Sequence, residues 1–116
     1  LQLFGAMDAA ERATIWATAT AVLAPATGFA FPARMIEAFA VGAPVIARDT
    51  LTLREVAADA ASLVSSDAPD AWATAVADLL GDADSAKRLG VLAADRSRAF
   101  AWRDAGDRVW ALHADL

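Results

Sequence analysis

The chain has 116 residues, of which 58% are hydrophobic, and it carries 15 acidic against 10 basic side chains for a net charge of −5. This composition excludes a disordered chain, and the negative charge excludes a protein that binds nucleic acid along its phosphates. With no cysteine and one histidine, the sequence also excludes disulfides, thiolate zinc sites, cysteine nucleophiles and multi-histidine metal clusters.

The first half of the chain predicts short strands that alternate with helices, which is the pattern of a parallel sheet with covering helices. Strands are predicted at Leu1–Phe4, Ala21–Pro25, Pro44–Ala47 and Ala61–Val64, with helices over about 9–19, 33–41 and 53–57. The segment 21–25 is apolar throughout, so it is predicted to be buried on both faces of the sheet. Asp8 and Glu11 form a capping box before the first helix, and Gly42 ends the helix over 33–41.

The second half of the chain is predicted to be helical. Apolar residues recur at spacings of three and four over Pro69–Leu80, Ser85–Phe100 and Asp104–His113. The fold class is therefore α/β. The four tryptophans, at positions 16, 72, 102 and 110, lie at helical spacing from apolar neighbours, so they are predicted to pack in the core or between helices.

Residues 21–41 have the form of a strand, a glycine-bearing loop and a helix, which can present backbone N–H groups and a helix N-terminus to a phosphate. Glu37 is the only carboxylate in an otherwise largely apolar helix. A carboxylate accepts paired hydrogen bonds and so suits the vicinal hydroxyls of a ribose. The alternative is a solvated Glu37 paired with Arg34 through i,i+3 spacing, and composition and periodicity alone favour this alternative.

Several segments together resemble a known family. The most specific is E-A-x-A-x-G-x-P-V-I at residues 37–46, and Leu3-Phe4-Gly5, Leu53-Arg54-Glu55-Val56 and Phe100-Ala101-Trp102 are similar to an F-x-G, an L-x-E-V and an F-S-W motif in the same order. The sequence resembles the nucleotide-sugar-binding part of retaining glycosyltransferases of the GT-B fold, glycosyltransferase family 4 (group 1). The resemblance covers nearly the whole chain.

The resemblance implies that residues 1–116 are part of a C-terminal Rossmann-like domain that binds the sugar donor. Such a domain would have about four parallel strands here, flanking helices and a helical C-terminal tail. The N-terminal acceptor domain and the first strands of this domain would lie outside the chain. In the expected sheet order 3-2-1-4-5-6, the chain supplies strands like the third to sixth, which leaves a gap two strands wide after the first. We therefore expect the isolated chain to be inactive and to fold poorly or self-associate.

The implied activity is that of a bacterial-type, retaining hexosyltransferase that uses a UDP-, GDP- or ADP-linked sugar. The nucleotide sugar is its substrate, no cofactor or metal is expected, and the acceptor would bind through the N-terminal domain. The alternative function is that of a non-catalytic GT-B-like interaction or regulatory domain. No nucleic acid partner and no transmembrane segment are predicted. The expected location is the cytoplasm, or the membrane surface if the N-terminal domain attaches there.

The resemblance also implies the donor-binding residues. Glu37 matches the second glutamate of the family's E-x7-E motif, which holds the nucleotide ribose. Gly28, Phe29 and Ala30 match a G-F-G segment whose backbone amides approach the diphosphate and the sugar, with Ala30 in place of the second glycine. Arg34 lies three residues before the glutamate, where it is either a phosphate contact or half of a surface ion pair.

The family's first motif glutamate is not found at its expected place. Thr27 stands there, and nine rather than seven residues separate it from Glu37. A threonine hydroxyl can still accept a hydrogen bond from a sugar O–H, but it supplies no negative charge. The Arg and Lys pair that neutralises the leaving diphosphate in the family lies upstream of the stretch that corresponds to Leu1, so no catalytic residue is assigned in this chain.

Overall fold

The computed structural model describes residues 1–28 and 30–116, in which strands and helices alternate before a helical end. The strands are β1 (Val22–Ala24), β2 (Val45–Arg48) and β3 (Ala61–Val64). The helices are α1 (Ala9–Thr18), α2 (Ala33–Ala40), α3 (Leu51–Ala57), α4 (Pro69–Leu80), α5 (Ala83–Ser97) and α6 (Trp102–Ala114), with a 3-10 turn at Arg98–Phe100. The bounds of β3 and α4 agree with the prediction, and the ends of the other predicted helices and of the two strands before β3 shift by at most three residues.

The strands form one parallel sheet in the order β1-β2-β3, which confirms the α/β class and the flanking helices. Val45 of β2 pairs with Val22 on one side and with Ala61 on the other. The central strand β2 is buried on both faces. Val45 and Ala47 belong to a core cluster with Met35 and Phe39 of α2, while Ile46 packs on the opposite face with Leu79 of α4.

The prediction of a strand at Leu1–Phe4 is wrong for this structure, so the sheet described has three strands rather than about four. Residues 1–5 are in no regular element, and Leu1, Leu3 and Phe4 are exposed. The reason is hydrogen bonding. A strand forms only beside a partner, and the expected order places two other strands between this segment and β1.

The prediction that β1 is buried on both faces is also wrong. Val22 and Ala24 pack against the core cluster, but the side chain between them, Leu23, is 49% exposed. Leu23 pairs in register with Ile46, which is fully buried. The difference arises because β1 is the outer strand of the described sheet, and the cluster that covers Ile46 leaves Leu23 half open.

The end of α2 lies very close to α5. Gly42 follows the helix with a φ of +70°, as predicted for a residue that ends a helix. A Cβ atom added to Gly90 in α5 would lie 2.6 Å from the backbone oxygen of Gly42. The two backbones therefore touch with no room for a side chain, and this contact fixes the C-terminal end of α2.

The tryptophans divide into two groups. Trp16 and Trp72 pack against the two core clusters, and the indole N–H of Trp72 donates to the Ser66 carbonyl at 3.0 Å. The prediction of packing is wrong for Trp102 and Trp110, which are 91% and 72% exposed on α6. Periodicity placed them on an apolar helix face, but nothing among the described residues covers that face.

The structure also bears on membrane insertion. Of the helices it describes, none has both the length and the apolar character needed to span a bilayer.

Ala58, directly after α3, carries a positive φ of 51° with a ψ of −115°. Side chains with a Cβ rarely adopt this conformation, whereas glycine adopts it at little cost. We therefore expect Ala58→Gly to raise the free energy of unfolding by about 1 kcal/mol. Ala73→Gly is the matched control, because Ala73 is an exposed residue within α4, and it should lower the same quantity by about 1 kcal/mol. Urea unfolding of both variants measures the two signs, and a destabilised Ala58→Gly would contradict the prediction.

Candidate functional site

Glu37 lies in the second half of α2, on the side of the helix that meets α1. Its side chain is 37% exposed, so the carboxylate is neither in the core nor fully solvated. Met35 and Phe39, on other positions of the same helix, are buried and hold α2 against the sheet. The position of the carboxylate is thus fixed by the packing of its helix.

Arg12 of α1 forms one of two ion pairs with Glu37. Its Nε donates to Oε2 at 3.1 Å and its Nη2 donates to Oε1 at 3.5 Å. The Nη1 of Arg12 donates to the backbone carbonyl of Met7. Because its side chain is only 16% exposed and contacts two groups, Arg12 is held firmly.

Arg34 forms the other ion pair, from the first turn of α2. Its Nη1 lies 3.0 Å from both carboxylate oxygens of Glu37. The i,i+3 ion pair that the sequence allowed is therefore present. Unlike Arg12, Arg34 is 64% exposed, so its long side chain can leave Glu37 without being drawn out of a packed environment.

The two arginines set the ionisation of Glu37. Partial burial acts to raise the pKa of this carboxyl, but the hydrogen bonds from Arg12 and Arg34 and their positive charges outweigh it and hold the pKa below its usual value. Glu37 is therefore ionised at neutral pH.

A lowered pKa implies a pH-dependent contribution to stability. Glu37 should stabilise the fold above its unfolded-state pKa of about 4.5, and this contribution should disappear as the pH falls through the lower folded-state value. Thermal midpoints of the wild-type chain and of Glu37→Gln, measured between pH 7 and pH 3, test this expectation. The difference between the two proteins should shrink below about pH 4.5, and a difference that grew on acidification would contradict it.

A cleft of about 460 Å³ lies beside this cluster, between β1 and the start of α2. Its walls include Trp16, Leu23 and Pro25 on one side and Ala30, Pro32 and Arg34 on the other. The N-terminal turn of α2 thus borders the cleft, and Arg34 connects the cleft to Glu37. Parallel α/β sheets bind ligands at this place, beyond the carboxyl end of a strand.

The structure brings together some of the predicted site residues and not others. Gly28 and Ala30 line the cleft with Arg34, and Glu37 adjoins them through its ion pair. Thr27 is exposed and is not among the described residues that line the cleft. Phe29, also predicted as a donor contact, lies outside the described residues.

Gly28 has open space around it, since a Cβ added there would meet no atom within 4 Å. The fold itself does not require a glycine at this position. Room for the close approach of a ligand to the backbone is a second reason for a glycine in such a loop.

Arg12 is the site residue that the sequence analysis missed. It lies 25 positions before Glu37, and neither helical periodicity nor a motif relates residues of two different helices. The only signal in the sequence for such a role was that Arg12 is a basic residue in an otherwise largely apolar first helix, directly after the capping glutamate Glu11.

The arrangement of strand, cleft and charged helix agrees with a comparison against known families. Residues 1–82 match the family described as glycosyl transferases group 1. The chain belongs to this family. The matched residues include the cleft, both arginines and Glu37. The GT-B C-terminal domain predicted from the sequence is confirmed.

Relatives of known name agree with this assignment. The chain is 31% identical over 107 residues to a D-inositol 3-phosphate glycosyltransferase of Corynebacterium glutamicum, a match that covers 90% of this chain and 26% of the relative. A protein of the same name from Nocardia farcinica is 34% identical over 90 residues, 76% of this chain and 20% of the relative. The chain thus spans about a quarter of the length of the first of these relatives and a fifth of the second.

A solved structure supports the fold. Sucrose-phosphate synthase from Thermosynechococcus elongatus superposes with a TM-score of 0.87 at 27% identity, over 97% of this chain and 29% of that one. The relatives are named as glycosyltransferases and the solved structure as a sucrose-phosphate synthase, so the comparisons do not favour the interaction-domain alternative.

Proposed function

We propose that this chain forms part of the donor site of a retaining glycosyltransferase, which transfers a hexose from a nucleoside diphosphate sugar to an acceptor. The cleft between β1 and α2 would hold the diphosphate and the sugar, and Glu37 would hold the ribose. Family membership supports glycosyl transfer in general terms, and the relatives' names support a sugar-transferring activity.

The observation that carries the proposal is the positive charge at the mouth of the cleft. The N-terminal turn of α2 has a partial positive charge, and negative side chains usually stand there. In this helix no acidic residue occupies the first turn, and Arg34 adds a second positive charge. Two arginines against one glutamate leave the cluster with a net charge of +1, and this charge together with the partial charge of the helix end suits an anionic ligand such as a diphosphate.

The same groups would act on the departing nucleotide. When the bond between sugar and diphosphate breaks, negative charge collects on the phosphate oxygens, and fixed positive groups lower the energy of that state. Arg34 can supply part of this stabilisation, whereas the backbone N–H groups of Ala33 and Met35 already donate to carbonyls of the preceding loop. Holding the ribose on Glu37 would place the reacting sugar relative to the acceptor, which is the positioning part of catalysis.

Calorimetric titration of the complete protein with UDP, GDP and ADP tests donor binding. Gly28→Ala places a methyl group in the cleft and should lower the affinity for the nucleotide that binds by about tenfold, while the thermal midpoint stays level. Gly106→Ala in α6 is the control, since no atom lies within 4 Å of a Cβ there either. Absence of binding by all three nucleotides would overturn the proposal.

Retention has its own test. Proton NMR of the first product formed from the matching nucleotide sugar reports the anomeric configuration before it equilibrates. Retention predicts the configuration of the donor, and the opposite anomer would overturn that part of the proposal.

A further inference from the structure

The contacts of Glu37 occupy both oxygens of its carboxylate. An ionised carboxylate offers about four acceptor positions, two on each oxygen. Arg12 takes one position on each oxygen, through Nε and Nη2. Arg34 takes the second position on each oxygen, through Nη1 at 3.0 Å. A ribose diol, which donates two hydrogen bonds, therefore competes with the arginines for acceptor positions on Glu37.

The two arginines differ in how readily they can leave. Arg12 is 16% exposed and also donates to the Met7 carbonyl. If it lost Glu37, its guanidinium would remain largely buried without a counter-charge, which is unfavourable. Arg34 is 64% exposed and lines the cleft. If Arg34 turns toward the cleft, it vacates one acceptor position on each carboxylate oxygen. A vicinal diol donates two hydrogen bonds and so needs these two positions.

We propose that Arg34 competes with the donor's ribose diol for Glu37, that the donor diphosphate draws Arg34 away, and that Arg12 keeps the carboxylate in place during this exchange. This inference rests on the proposed donor site. It makes Arg12 a positioning residue, and it makes ribose recognition depend on the presence of the diphosphate. A nucleoside without phosphates would have to displace Arg34 unaided, and so would bind weakly.

The exchange predicts opposite effects of one substitution on two ligands. In the complete protein, Arg34→Ala should lower the affinity for the nucleoside diphosphate by about 10- to 100-fold, since a charge-assisted contact to phosphate is lost. The same variant should bind the matching nucleoside several-fold more tightly, because its competitor for Glu37 is gone. The probes are uridine, guanosine and adenosine with their diphosphates, titrated by calorimetry.

Arg54→Ala is the matched control. Arg54 is 62% exposed, close to the value for Arg34, and pairs with Asp49 at 2.7 Å outside the cleft. Neither ligand should change in affinity in this variant.

Arg12 is tested by a pH profile. Arg12→Gln should weaken nucleoside binding, and the loss should deepen between pH 6 and pH 4, because a carboxyl without this neighbour is protonated at higher pH. Arg12→Lys keeps the charge and should keep affinity flat over that interval. It also serves if Arg12→Gln does not fold, since a lysine variant whose nucleoside affinity falls between pH 6 and pH 4 would count against the positioning role.

The outcomes separate the two proposals. If the wild-type protein binds no nucleoside diphosphate, the donor site itself is wrong and the exchange falls with it. If it binds one but Arg34→Ala leaves nucleoside affinity unchanged, Arg34 is a simple phosphate contact and the exchange alone is overturned. If neither affinity changes in Arg34→Ala, Arg34 is a surface ion pair only, and the exchange is again overturned.

Discussion

Replacing Gly90 with alanine is expected to lower the free energy of unfolding by about 1 to 3 kcal/mol. The new Cβ atom would lie 2.6 Å from the backbone oxygen of Gly42, a distance at which one of the two backbones must move. The neighbour is a backbone atom in a turn with a φ of +70°, so it cannot swing aside as a long side chain would. Within a helix the same substitution usually stabilises, because alanine restricts the unfolded chain more than glycine does.

Gly106→Ala is expected to have the usual, stabilising effect. Gly106 lies in α6 and has no atom within 4 Å of a Cβ position, so its replacement should raise the free energy of unfolding by about 0.5 to 1 kcal/mol. Denaturant unfolding of the two alanine variants compares their free energies of unfolding directly. The measurement uses the complete protein if the isolated chain does not unfold cooperatively. Equal signs for Gly90→Ala and Gly106→Ala would show that α5 and the α2–β2 turn are not in backbone contact.

Replacing Glu37 with glutamine is expected to weaken nucleoside diphosphate binding by about 1.5 to 3 kcal/mol, the range for a hydrogen bond to a charged group. The amide keeps the volume of the side chain but loses the charge, and its NH₂ group points a donor at the ribose instead of an acceptor. The substitution also leaves Arg12 without a counter-charge. Because Glu37 is 37% exposed, we expect the resulting loss of folding free energy to be about 1 kcal/mol, less than for a fully buried pair.

Glu55→Gln is the control for charge alone. Glu55 is an exposed residue of α3, so its replacement changes the net charge equally without touching the cleft. Titration calorimetry gives the affinities, and thermal unfolding gives the stabilities. Unchanged affinity in Glu37→Gln would remove Glu37 from the donor site and leave a solvated helix face with two ion pairs.

Local signals in the sequence were sufficient for much of the fold. Pro69 begins α4 because proline fixes its own φ, and Gly42 ends α2 because glycine readily adopts a positive φ; both effects act at single positions whatever the rest of the chain does. The capping box of Asp8 and Glu11 is present, since both of its hydrogen bonds lie within one turn.

Features that depend on distant parts of the chain could not be read in this way. Whether Leu1–Phe4 forms a strand depends on a neighbouring strand, and the pattern of apolar residues does not reveal one. Trp102 and Trp110 lie on an apolar face, but periodicity says which residues share a face and not what covers it. The ion pair of Arg12 and Glu37 joins two helices, so no spacing rule predicts it.

The predicted donor-binding residues came mostly from the family resemblance. Composition and periodicity alone favoured a surface ion pair for Glu37 and Arg34, and this pair exists at 3.0 Å. The position of Arg34 on the wall of the cleft was not visible in the sequence, because it depends on how β1 and α2 pack.

The close approach of Gly42 and Gly90 has a consequence for mutant libraries aimed at the proposed donor site. It anchors the C-terminal end of α2, while the N-terminal turn of the same helix borders the cleft. Mutant libraries should therefore vary Ala30, Pro32 and Ala33, which line the cleft, and should leave the glycine contact untouched. Randomising Gly42 or Gly90 would mainly yield destabilised protein, and the clones that still fold would report stability instead of selectivity.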